Sequence, residues 1–249
     1  KEPTFKPLVE ATDGYVLQVH SLERPKNIEE AFTICDPNAA RRAVEQAGKL
    51  GVPFRVALPK YGYLLAFDKS GKFVGLSVEG SSKSWPAGVQ TREVNADPVE
   101  MARLVHTWST NGPSTLRGII WYRLPTIVDN FNWRWQTLGA IVASRFPRES
   151  FRGEARPVEK GLVEINLVND GELDLSSRLV VEVRWSRVGG ARLIAADGLH
   201  GFNTLNAGPS SITFQKTSQP DRIAAGEKQT VGWLRFDREC EVQVESKKD

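Results

Sequence analysis

The sequence predicts an α/β layer followed by an all-β domain, and two observations predict it. Up to about Arg145, apolar strand-like runs alternate with capped helical stretches; after residue 150 the helical punctuation stops and short β-type runs separated by turn signals take over. The 249 residues carry 33 Lys+Arg, 30 Asp+Glu and 40% hydrophobic side chains, which is material for a packed core with a net charge of only +3.

The first part reads as three strands, three helices and a hairpin. Tyr15–Val19, Phe54–Leu58 and Gly118–Tyr122 are nearly continuous apolar runs, the pattern of parallel strands covered on both faces. Asp36-Pro37 opens the first helix: the Asp side chain accepts free N–H groups, and Pro at the first helical position gives up only an N–H that would be unpaired anyway. Ala40, Val44 and Ala47 follow at helical spacing, and Gly51 stops the run. Asp97-Pro98 opens the second helix, with Glu100 placed to complete a capping box and Met101, Val105 and Trp108 as its apolar stripe. A third helix is predicted from about Asn132 to Arg145, burying Trp135, Leu138 and Val142. Tyr61–Asp68 and Lys72–Glu79 flank the turn Lys69-Ser70-Gly71 as a hairpin. Strand–helix units of this kind imply right-handed crossovers in an open sheet or in a barrel.

The second part offers the runs Leu162–Val168, Leu179–Trp185, Arg192–Ala195, Ser211–Gln215, Gln229–Phe236 and Glu241–Val244, punctuated by turns such as Asn169-Asp170-Gly171. They predict an immunoglobulin-like antiparallel β-sandwich over 151–249, after an α/β domain over 1–150, with the charged, Pro-containing stretch Pro147–Lys160 joining them. Trp185 and Trp233 lie within these runs and are assigned to core packing.

Several function classes drop out. No apolar run approaches the roughly 18 residues a spanning helix needs. The start Lys1-Glu2-Pro3 has no signal-peptide apolar run, so an exported protein's leader would be absent from this chain. The densest basic stretch, Arg178, Arg184, Arg187 and Arg192, is interrupted by Glu182 and makes no clustered phosphate footprint, so no nucleic acid is expected. Cys35 and Cys240 belong to no metal or CxxC spacing; one long-range disulfide or two separate buried thiols are both compatible, and the second is favoured. With three scattered His, no metal site or cofactor is expected. Gly75-Leu76-Ser77-Val78-Glu79-Gly80 has the glycine spacing of a phosphate loop, but Ser81 stands where that mechanism needs Lys.

Three motifs, Asp13-Gly14-Tyr15-Val16-Leu17-Gln18-Val19-His20-Ser21-Leu22, Ala57-Leu58-Pro59-Lys60-Tyr61-Gly62-Tyr63 and Gly118-Ile119-Ile120-Trp121-Tyr122-Arg123-Leu124-Pro125, occur in order and are followed by Asn132-Trp133-Arg134-Trp135. They resemble a bacterial family of domains of unknown function whose members look like distant relatives of glycoside-hydrolase barrels. The resemblance implies that this piece is a partial (β/α) barrel-like domain, the C-terminal part of a barrel whose earlier strands lie upstream of Lys1. A complete barrel takes about 250 residues, far more than precede the β-rich part. A partial barrel would hide its sheet edges by self-association or by pairing with an N-terminal segment.

Functional groups of a parallel sheet gather at the carboxyl ends of its strands. That rule selects Gln18 and His20, Tyr61 and Tyr63, and Trp121, Tyr122 and Arg123, joined by Trp85 and Trp133. Flat aromatic faces rimmed by Gln18, His20 and Arg123 suit the apolar face and hydroxyls of a sugar. Core filling is the competing role, foremost for Trp121 and Trp133, and a structural role competes for His20. Glu79, at the end of the hairpin, and Asp129, in the loop after the third strand, are the candidate catalytic carboxylates of a glycosidase. The expectation is an exported, periplasmic or extracellular protein that acts on or recognises a carbohydrate; the alternative is a non-catalytic binding or assembly scaffold.

Overall fold

The computed structural model describes residues 5–21, 23–78, 85–124, 130–176, 178–186, 190–205, 208–217 and 222–248. The chain divides into two compact units, Lys1–Pro147 and Arg148–Asp249. The architecture is mixed α/β, its sheets are mostly antiparallel, and the described strands form no closed barrel.

The first unit runs α1 (Phe5–Glu10), β1 (Tyr15–Gln18), α2 (Pro37–Gly48), β2 (Phe54–Pro59), β3 (Gly62–Phe67), β4 (Phe73–Ser77), β5 (Gln90–Asn95), α3 (Pro98–Asn111), β6 (Leu116–Tyr122) and α4 (Trp135–Val142). β1, β2 and β6 form a parallel sheet with β2 in the middle, Tyr15 opposite Phe54 and Leu58 opposite Trp121. Gly14 starts β1 at φ 154°, where a Cβ would stand 2.8 Å from the Pro53 carbonyl oxygen, so only glycine lets β1 begin this close to the chain entering β2.

Both Asp-Pro helix starts form as the residues dictate. Asp36 accepts from the amides of Asn38 and Ala39, and Asp97 from those of Val99 and Glu100. The Glu100 side chain pairs with Arg103. Ala40, Val44 and Ala47 of α2 and Met101, Val105 and Trp108 of α3 pack on Tyr15, Leu17, Phe54, Val56, Leu58, Ile119 and Trp121 of the sheet. Of the intervening residues, Val16, Gln18, Arg55, Ile120 and Tyr122 are exposed while Ala57 and Pro59 of the central strand are buried, which corrects the expectation of burial along the whole of both faces. In α4 the apolar stripe is also displaced: Leu138, Ala140 and Ile141 are buried while Trp135 and Val142 are 59% and 61% exposed. Helical spacing permits either stripe, and packing selects the one that sets Ile141 into the shared core.

The hairpin forms from β3 and β4, its turn held by Asp68, whose carboxylate accepts from the Ser70 amide at 2.8 Å and the Lys72 amide at 3.1 Å. β5 pairs with the other edge of β3, giving a second, antiparallel sheet of order β4-β3-β5.

The second unit is β7 (Arg152–Glu159), β8 (Leu162–Val168), β9 (Leu179–Trp185), β10 (Leu193–Gly198), β11 (Phe202–Leu205), β12 (Ser211–Lys216), β13 (Lys228–Phe236) and β14 (Val242–Lys248). They form two four-stranded antiparallel sheets of order β10-β13-β8-β7 and β11-β12-β9-β14. Val163, Ile165, Leu167, Val181, Val183, Trp185, Phe214, Leu234 and Phe236 join one core. Each such side chain taken from water contributes about 1.5–3 kcal/mol. β7 occupies most of the stretch read as a connector; its Arg152, Glu154, Arg156 and Glu159 hid a strand behind charge. Trp185 is buried, whereas Trp233 is outside this core and only half-buried. The cause is a register shift between Thr230 and Gly232, which moves the inward parity of β13 from Val231 to Leu234 and Phe236 and turns Trp233 outward.

Candidate functional site

The carboxyl ends of β1, β2 and β6 bring Gln18, His20, Tyr61, Tyr63 and Tyr122 together. The chain continues past β1 to His20, and past β2 through Lys60 and Tyr61 into β3, so the two strand ends deliver an imidazole and two phenols to one place. Gln18 Nε2 lies 3.3 Å from His20 Nδ1, Tyr61 Oη lies 3.0 Å from that nitrogen, and Tyr63 Oη lies 3.1 Å from Tyr61 Oη. The Gln18 amide nitrogen only donates, so its contact calls for an unprotonated Nδ1, whose single in-plane lone pair goes to the nearer Tyr61 hydroxyl, with Gln18 as a longer secondary contact. Tyr63 in turn donates to Tyr61.

The rings pack as well as bond. Tyr122 stands edge-on to His20 and to Tyr61, with centroids 6.0 and 5.8 Å away, and Tyr63 meets Tyr61 edge-on at 5.3 Å. His20 and Tyr61 are 8% and 4% exposed, but Tyr122 is 54% exposed and forms the outer wall. Burial pulls the His20 pKa below the ordinary imidazole value, against a smaller opposing effect of the Ala57 carbonyl, so the ring is held neutral. Burial first, and then the Tyr63 hydroxyl, push the Tyr61 phenol far above its usual range, so it stays protonated as a donor.

Beneath this group lies a buried polar anchor that sequence reasoning passed over. Lys60 is fully buried and its Nζ donates to Asn132 Oδ1 at 2.7 Å. Its amide donates to the Tyr122 carbonyl, and its carbonyl accepts from the Trp133 amide at 2.9 Å. A lone Lys at the end of the apolar run Phe54–Pro59 is the signal that could have found it.

The remaining candidates make no hydrogen bond to the tyrosines among the described residues. Trp121 alternates with Tyr122, packs on the helix-covered face and meets the buried Trp133 at 5.8 Å; Trp133 Nε1 donates to the Ala96 carbonyl. Arg123 donates to the Val78 carbonyl at 3.2 Å, tying the end of β6 to the chain beyond β4, and its charge acts on Tyr61. Trp85 lies against Gly75 of β4. The candidate carboxylates Glu79 and Asp129 lie outside the described residues. No hydrogen bond of Gln18, His20, Tyr61 or Tyr63 among the described residues goes to a carboxylate. Among the described residues no three His, Cys, Asp or Glu gather as metal ligands, and no helix is long and apolar enough to cross a membrane. Cys35 and Cys240 are free thiols; Cys35 is buried and Cys240 is partly exposed.

Two family models match the sequence: the domain of unknown function DUF3142 over residues 1–127, and the domain of unknown function DUF8456 over residues 153–237. No curated protein matches. Among solved structures, the chitin-binding domain of a chitinase from Pyrococcus furiosus is 13% identical, with a TM-score of 0.28 over 41% of this chain and 95% of that one. A chitinase from Bacillus thuringiensis is 10% identical, with a TM-score of 0.36 over 96% of this chain. A family GH18 chitinase from Chromobacterium violaceum is 12% identical, with a TM-score of 0.31 over 95% of this chain. The chain spans 63% and 56% of the lengths of those two chitinases.

Proposed function

We propose, from the premise that the chain belongs to the family of domains of unknown function designated DUF3142, that its first unit recognises a carbohydrate at the carboxyl ends of β1, β2 and β6. One observation carries the reading: an exposed Tyr122 ring stands beside a hydrogen-bonded row in which buried His20 and Tyr61 link exposed Gln18 to half-buried Tyr63. An exposed phenol ring offers a flat apolar surface to a sugar ring, and the neutral donors and acceptors behind it suit hydroxyls rather than charged groups. Recognition is the reading the described side chains support directly, since they are neutral hydrogen-bonding groups beside an exposed ring, whereas hydrolysis would work through a pair of carboxylates.

Calorimetric titration of the chain with hexasaccharides of N-acetylglucosamine, glucose and xylose tests this reading. Binding of at least one, weakened about tenfold by Tyr122→Ala, is the expected result. Wild-type affinity in that variant for every sugar would sink it. Release of reducing ends that disappears in Glu79→Gln or Asp129→Asn would turn recognition into hydrolysis.

The parallel sheet supports a second, architectural reading, that of a partial (β/α) barrel. β1 and β6 both have a free edge among the described strands, and parallel sheets are ordinarily covered and extended on both sides. A groove of about 510 Å³, lined by Val105, Trp108, Ile119, Trp121 and Ile141 among others, runs beside the free edge of β6. In this reading another β-rich segment or a second copy pairs with these edges.

A further inference from the structure

The second unit presents two outward sheet faces, and they differ. On the sheet β11-β12-β9-β14 the outward positions include Asn203, Leu205, Thr213, Glu182, Arg184 and Glu245, with no aromatic among the described residues. On the sheet β10-β13-β8-β7, the register shift in β13 places Trp233 outward in a row that runs across all four strands, Asp197–Trp233–Glu164–Arg156. We propose that this face is a second carbohydrate site, a flat platform for a neutral oligosaccharide centred on Trp233.

The indole is half-buried between polar neighbours, so it offers apolar area without making a greasy patch. Strands lie about 4.8 Å apart, so the four-residue row gives a platform on the order of 15 Å across, long enough for a short run of sugar rings. Charge selects the ligand class. Arg156 is bound by Glu164 at 3.1 Å, Lys228 by Glu154 at 2.6 Å, and Arg235 by Glu159. With its cations paired on the face itself, the platform projects no field that would gather a polyanion or an anionic membrane, while the pairs still present oxygens and N–H groups to hydroxyls.

The proposal stands apart from the tyrosine site, and one experiment separates them. The full chain, Trp233→Ala, Tyr122→Ala and the double variant are titrated with cellohexaose and xylohexaose, with heparin as the charged control. The expected result is neutral hexasaccharide binding at two sites, one weakened about tenfold only in Trp233→Ala and the other only in Tyr122→Ala, with both weakened in the double variant. If Trp233→Ala lowers the melting temperature into the assay range, Trp233→Thr, which keeps strand propensity, is read in its place. Wild-type affinity in both Trp233 variants, no binding of any neutral hexasaccharide by the wild type, or salt-sensitive binding of heparin alone would overturn the platform. An unchanged Tyr122→Ala would instead overturn only the site in the first unit.

Discussion

The two units solve the same problem of covering apolar strands in different ways. In the second unit two antiparallel sheets cover one another, and Val181, Val183, Phe214 and Leu234 are completely buried between them. In the first, the parallel sheet is covered by helices on one face and exposes Val16, Ile120 and Tyr122 on the other. Exposed apolar side chains occur in both units, at Val158, Ile194 and Leu205 on edge strands of the second and at Val16, Ile120 and Tyr122 on one face of the parallel sheet in the first. Unspent apolar surface at strand ends is where a ligand or another chain segment has something to gain.

The sharpest way to break that comparison is to truncate one residue from each kind of surface. Phe214→Ala should cost about 3–5 kcal/mol, read as a lower urea midpoint of the second unit's amide-exchange transition. Val16→Ala should stay within about 0.5 kcal/mol of wild type in the first unit. Equal costs would mean that the exposed face is covered in solution, and light scattering would then show self-association.

What was legible in the sequence follows the same division. The Asp-Pro helix starts and the runs at Phe54, Leu162 and Leu179 announced themselves because local chemistry and tertiary demand agree there. β5 (Gln-Thr-Arg-Glu-Val-Asn) and β7 (Arg-Gly-Glu-Ala-Arg-Pro-Val-Glu) did not, since strands at the edges of their sheets can be built from polar residues whose pairing is decided by the neighbour and not by their own pattern. Of the site, strand ends pointed to Gln18, His20, Tyr61, Tyr63 and Tyr122, which the structure gathers. The Lys60–Asn132 bond joins residues 72 positions apart and has no periodic trace, and the outward turn of Trp233 hangs on a single extra residue in β13.

A smaller effect sharpens the contrast from the buried side of the tyrosine site. Asn132→Leu removes an acceptor of a fully buried ammonium and should destabilise the first unit by about 2 kcal/mol, whereas Asn203→Leu, on the exposed face of β11, should be close to neutral. Chemical denaturation of both variants checks the difference.

The smallest expected effect is a dependence on pH. The folded pKa of His20 lies below its unfolded value of about 6.5, so the unfolded chain takes up the proton first. Stability from this group is complete above that value and is lost as the pH falls through it toward the folded pKa, by less than about 1.4 kcal/mol per pH unit. Urea midpoints at pH 7.5 and 5.5 should therefore fall more in the wild type than in His20→Gln. An equal drop in both would mean that the imidazole is not held neutral.

Residue 60 has a kinetic corollary. Because its amide is held by the Tyr122 carbonyl and its carbonyl holds the Trp133 amide, neither proton can be released to solvent without parting the ends of β2 and β6 or lifting the chain at Trp133. Those two amides should exchange at nearly the same slow rate, as members of one cooperative opening. The floor beneath Tyr61 and Tyr122 would then stay closed while the rings above it reorient, a rigid seat under a mobile rim.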